Sequence, residues 1–125
     1  MTLRVLVLDD DQNVRTLLRA YFVGLGWHVE ACADASAGLR LADSDAPFDA
    51  VICDLHFSGA HLGEGYEILS CARRRRPHCA VVLFTGAAGE DVREEALRRG
   101  ADEVIAKPAP LSRLRDAALR AMKKP

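Results

Sequence analysis

Short apolar runs of strand length alternate five times along this chain with stretches of helical periodicity, and that alternation leaves few folds open. The runs are Leu3 to Leu8, Trp27 to Ala31, Val51 to Cys53, Ala80 to Phe84 and Val104 to Ala106. After the first, apolar residues fall at Val14, Leu17, Leu18, Tyr21, Phe22 and Leu25, the spacing of a helix from Gln12 to Leu25. Gly24 and Gly26 close it. Asp34 or Ser36 can cap a short second helix carrying Ala37, Leu39, Leu41 and Ala42. Three more helices are predicted: Gly65 to Arg75, stopped by Pro77; Glu90 to Arg99, with Gly100 just beyond; and one started by Pro110. The last buries Leu111, Leu114, Ala118, Leu119 and Met122. Strand and helix in strict alternation, with short connections, predict an α/β fold: a doubly wound parallel sheet with helices on both faces.

Composition narrows the function classes. At 125 residues the chain reads as one domain over 1–125, with no effector domain after the last helix. A formal net charge of -1 argues against bulk attraction to nucleic acid or to an anionic membrane. No apolar run approaches bilayer-spanning length, and the N-terminus lacks the basic start of a signal peptide. Cys32, Cys53, Cys71 and Cys79 show no C-x-x-C spacing and read as reduced, packed thiols of a cytoplasmic protein. They form no tetrahedral metal set with His56, His61 or His78. Arg73 to Arg76 reads as a solvated helix end, where cations offset the dipole, and not as a nucleic-acid patch.

The chemistry follows the strands. In an open parallel sheet, residues just past the strands' C-terminal ends share one rim, where ligands and reacting groups gather. Here those residues are Asp9 and Asp10, Asp54, Thr85, and Lys107. Two ionised carboxylates about 4 Å apart repel by roughly 4 kcal/mol at an effective dielectric of about 20. A hard divalent cation neutralises such a cluster, and Mg2+ suits it because it takes oxygen ligands and keeps several waters. Lys107 adds a positive charge for an anionic group, and Thr85 adds a hydroxyl donor. Metal, lysine and hydroxyl around one carboxylate is the apparatus of phosphoryl transfer, with Asp54 as nucleophile and Asp9 and Asp10 on the metal.

On these residues the chain resembles the receiver domain of two-component response regulators, close to the single-domain chemotaxis type. The matching positions are Asp9-Asp10, Asp54, Thr85-Gly86 and Lys107-Pro108, joined by Gly65-Tyr66-Glu67-Ile68-Leu69 and the Gly100-Ala101-Asp102 turn. The resemblance implies a flavodoxin-like (βα)5 fold with strand order 2-1-3-4-5. It implies a phosphoacceptor switch, not a turnover enzyme, that takes a phosphoryl group on Asp54 from a sensor histidine kinase or phosphotransfer protein. It implies Mg2+ on Asp9, Asp10, Asp54 and the backbone carbonyl of His56, with Thr85 and Lys107 as switch and catalytic residues. A cis peptide before Pro108 is implied as well, as is phosphorylation-dependent pairing of two copies through helix 4, strand 5 and helix 5.

Three features depart from the family pattern. Gly65 arrives late after the acceptor, and the intervening loop carries Ser58-Gly59 where a proline is usual. Val104 stands where the family often has an aromatic ring, which leaves the Thr85 loop and helix 4 to carry an activation signal. His56 occupies a position where an imidazole could steer or obstruct water attacking an aspartyl phosphate. Two rivals follow from the residues. A degenerate receiver would bind partners without phosphorylation. An aspartyl-phosphate phosphatase would use Asp9 and Asp11, but needs Thr or Val where Asn13 stands.

Overall fold

The computed structural model describes residues 2–55 and 62–122. In chain order its elements are β1 (Arg4–Leu8), α1 (Gln12–Gly24), β2 (His28–Cys32), α2 (Ala35–Ala42), β3 (Ala50–Cys53), α3 (Leu62–Arg75), β4 (Ala80–Thr85), α4 (Glu90–Arg98), β5 (Glu103–Ala106) and α5 (Leu111–Met122). All strand pairs are parallel, and the sheet order is β2-β1-β3-β4-β5.

Strand parity divides the core. Val5, Val7, Ala50, Ile52, Val82 and Phe84 face α1 and α5, where they meet Leu18, Phe22 and Leu114. Their neighbours in sequence, Leu6, Leu8, Val51 and Cys53, face the other way and meet Ile68 and Ala72 of α3. Leu69, Val81, Leu83, Val104 and Ala96 extend that side toward α4. β3 and β4 are buried along their whole length, as charge-free central strands must be.

Local chemistry sets the helix starts. Asp11 caps α1 by accepting from Asn13 N–H at 2.8 Å. Asp34, not Ser36, caps α2, accepting from Ala37 N–H at 2.8 Å. α3 begins at Leu62 rather than at Gly65, because Gly63 and Gly65 dilute the helical signal in the sequence. Gly65 is instead a packing requirement: a Cβ there would lie 2.9 Å from the backbone oxygen of Leu55. That oxygen cannot swing aside, so Gly65→Ala is expected to destabilise the fold by about 1–3 kcal/mol, read from denaturant unfolding midpoints.

Arg73 and Arg76 overturn the expectation of a solvated helix end. The Arg73 guanidinium donates to Gly100 O at 2.9 Å, Pro77 O at 2.8 Å, Cys79 O at 2.9 Å and Asp102 Oδ2 at 2.7 Å. Arg76 donates to the carbonyls of Ala42, Ala46 and Ser44 behind α2, with its head over the Phe48 ring. Both arginines satisfy carbonyls that the sheet and helices leave over, while Arg74 and Arg75 are exposed.

All four cysteines are buried and free. Burial raises every one of their pKa values, that of Cys79 to about 12. No thiol is therefore expected to react with a disulfide reagent at mildly alkaline pH in the native protein, and all four should react in guanidinium.

Candidate functional site

Sheet register assembles the site. Leu8 is the register partner of Cys53, so the residues that follow, Asp9 and Asp54, emerge side by side. The Asp54 N–H donates to Leu8 O at 2.8 Å and the Asp9 N–H to Cys32 O at 3.1 Å, which fixes both backbones at the rim. Thr85 is the last residue of β4, paired with Ala106, rather than the first beyond the strand. Lys107 follows, and its N–H donates to Thr85 O at 3.0 Å.

The side chains converge. Lys107 Nζ donates to Asp9 Oδ2 at 2.7 Å and to Asp54 Oδ2 at 2.9 Å, bridging the two carboxylates. Asp9 is 2% exposed and Asp54 6%, so the ion pairs are shielded from water. The ammonium also lies 5.4 Å from the centre of the Phe84 ring. Burial pushes Asp9 above the usual carboxylate range despite the opposing pull of Lys107 and of the Asp11 N–H. Burial works against the Lys107 charge too, but the hydrogen bonds and charges of Asp9 and Asp54 outweigh it, and its pKa ends above the ordinary value.

Asp10 is the exposed member. Carboxylate oxygens of Asp9, Asp10 and Asp54 all lie within 4.8 Å of one another, an oxygen-only donor set open to solvent on the Asp10 side. That set fits a hard divalent cation with retained waters. His56 lies outside the described residues. The Thr85 side chain is buried, and its hydroxyl oxygen accepts from Ala87 N–H at 3.2 Å, within the loop that leads to α4. The Lys107–Pro108 peptide is cis.

The response regulator receiver domain model matches residues 5–119. The chain belongs to that family. Among curated proteins, this receiver is 35% identical over 120 residues to the transcriptional activator protein PfeR of Pseudomonas aeruginosa, covering 94% of this chain and 38% of that protein. Among solved structures, a CheY-like receiver domain protein from Methanospirillum hungatei superposes with a TM-score of 0.85 at 25% identity, over 98% of each chain. A response regulator from Burkholderia pseudomallei, solved with a phosphorylated aspartic acid, calcium ion and citrate, has the same fold: TM-score 0.85 and 24% identity over 93% of this chain and 66% of that one. Receivers of this family are signalling switches of two-component systems, with a flavodoxin-like fold. Among the described residues, no helix of this receiver is long and apolar enough to cross a membrane.

Sequence reasoning missed two neighbours of the site. Phe84 reads as an ordinary strand residue until its ring is found beside the Lys107 ammonium. Arg15 falls between the apolar positions of the first helix, and its Nη1 donates to Asp9 O at 2.9 Å. Its place one turn into α1 was the only available signal, and spacing alone does not say which way a long side chain turns.

Proposed function

We propose that this receiver accepts a phosphoryl group on Asp54, with Mg2+ held by Asp9, Asp10, Asp54 and the backbone carbonyl of His56. The donor is the phosphohistidine of a sensor histidine kinase or of a phosphotransfer protein, and the product switches partner binding. The observation that carries the reading is Lys107 bridging Asp9 and Asp54 beside the three-carboxylate cluster. The phosphorylated aspartic acid and calcium ion in the Burkholderia protein support it by analogy of fold.

An Asp54 carboxylate oxygen attacks phosphorus in line. The new O–P bond forms as the P–N bond to the donor imidazole breaks, and the electron pair leaves with the imidazole. The Asp54 backbone is pinned to Leu8 and its Oδ2 accepts from Lys107, so the nucleophile is positioned before the donor arrives. Lys107 Nζ, 2.9 Å from Asp54 Oδ2, pairs with a phosphoryl oxygen as negative charge builds there. A divalent cation held by Asp9, Asp10 and Asp54 would supply charge neutralisation at this site. Thr85 gives up its contact with Ala87 N–H to donate its hydroxyl to the phosphoryl group, which carries the change into the loop before α4. The same chemistry makes phosphorylation and hydrolysis self-catalysed reactions of the domain.

Beryllofluoride with Mg2+ tests the reading without a kinase. The amide signals of Asp10, Asp54, Lys107 and the segment from Thr85 to Ala88 should shift together in wild type and stay fixed in Asp54→Asn. Unmoved signals in wild type would contradict it.

A further inference from the structure

Asp9 is held at every polar atom: its N–H donates to Cys32 O, Oδ1 accepts from Asp11 N–H at 2.9 Å, Oδ2 accepts from Lys107, and its carbonyl accepts from Arg15. Asp10 is held by none of these directly. Its carboxylate is exposed, and among the described residues no side chain or N–H donates to it. Yet its oxygen lies in the same cluster as those of Asp9 and Asp54, so something sets its direction.

The Asp9 carbonyl is the handle. Asp9 C and O share one rigid peptide plane with the N and Cα of Asp10, so fixing that oxygen fixes the point from which the Asp10 side chain leaves the backbone. Arg15 reaches back along α1 to make the bond, and its own N–H donates to Asp11 O at 3.0 Å. The two contacts clamp the Asp9-Asp10-Asp11 segment against the first turn of α1 on both sides of Asp10. Arg15 is half-buried, which limits the other positions its side chain can take.

We infer that Arg15 is a positioning residue that aims the Asp10 carboxylate into the metal cluster by locking the Asp9–Asp10 peptide plane through the Asp9 carbonyl. This rests on the divalent-cation reading of the site given above. It separates from a plain charge effect by sign. Removing a cation beside an acidic cluster makes that cluster more negative, which on its own strengthens Mg2+ binding. Losing a positioning contact weakens it, and outer partners of metal ligands are typically worth roughly 10- to 100-fold in affinity.

The test is Mg2+ titration of the intact chain followed by amide NMR, with melting temperature measured in a chelator. Arg15→Met keeps the stem and loses the donor, and Arg15→Lys keeps a donor and the charge. Wild type should bind Mg2+ and Asp10→Asn should bind it weakly. Arg15→Met should bind about 10-fold more weakly than wild type, with little change in the metal-free melting temperature, and Arg15→Lys should recover most of the loss. Wild-type or tighter Mg2+ binding by Arg15→Met overturns the inference and leaves the metal reading standing. Failure of wild type itself to bind Mg2+ overturns both.

Discussion

Lys107→Ala is expected to cut phosphorylation of Asp54 by a small-molecule phosphodonor about 100-fold or more. The ammonium is within hydrogen-bond distance of both buried carboxylates, so it is already positioned for the charge that builds on a transferring phosphoryl group. A preorganised donor of this kind acts in the transition state without reorganising. The same substitution should weaken the metal-free fold by about 2–4 kcal/mol, because two buried carboxylates then lose a shared cation. Mg2+ should restore part of that loss, since anything that binds only the native state stabilises it. The Lys107 pKa is raised in the native state, so its stabilising contribution is fully present below the ordinary lysine pKa. It is lost as pH rises through the elevated native value. The stability gap between wild type and variant should therefore persist through neutral pH, narrowing in strong alkali as Lys107 loses its proton and in acid as its carboxylate partners gain theirs. Phosphorylation rates from mass spectrometry and denaturant titrations with and without Mg2+ check both parts.

Arg73→Ala is expected to be the most damaging substitution away from the site, costing about 2–4 kcal/mol in unfolding free energy. Four acceptors from two connections, the one before β4 and the one before β5, depend on its guanidinium: Pro77 and Cys79, Gly100 and Asp102. Asp102 also accepts from Val81 N–H at 2.8 Å, so the arginine steadies the edge where β4 meets β5. Gly100 gives an independent check. Its φ is +113°, and a Cβ there would lie 2.7 Å from Arg73 Cγ. Gly100→Ala suffers both from backbone strain and from collision with Arg73; in the Arg73→Ala background the Cγ collision is relieved, while the strain and the 2.9 Å approach to the residue-73 Cβ remain. The double variant should therefore be less destabilised than the sum of the two single ones. Additive losses would show that the contact is not shared.

The architecture was legible because each level of the sequence agreed with the next. Charge-free Val51 to Cys53 and Ala80 to Phe84 could only be central strands, and the helical spacing around Leu18 and Phe22 had one apolar face to bury. Which strand lies beside which was not in the spacing. The order came from the family resemblance, and the register then explains it by setting Leu8 against Cys53. Asp9, Asp10, Asp54, Thr85 and Lys107 were visible because residues at and just past the strands' C-terminal ends share a rim. The failures were of a different kind. Arg73 and Arg76 look like any basic helix end in sequence, because the carbonyls that capture them lie 27 to 34 positions away in most cases. Gly65 looked like a helix start, whereas its missing side chain makes room for the Leu55 backbone. Arg15 and Phe84 act through direction, and periodicity fixes only the face of an element.

Val104 sharpens what the switch has to use. It is 5% exposed and packs with Leu83, Ala96 and Leu69 between β4, α4 and α3, so it offers no ring to swing between solvent and core. Its carbonyl accepts from Arg93 of α4 at 3.2 Å. Val104 thus ties β5 to α4 through its carbonyl and its packing, with no aromatic ring at this position.

Incubation of the intact chain with acetyl phosphate and Mg2+, followed by peptide mapping, asks the central question directly. One added phosphoryl group is expected, carried by the peptide containing Asp54, absent in Asp54→Asn and absent when Mg2+ is chelated. An unmodified wild-type chain, or a phosphoryl group on any other residue, would contradict it.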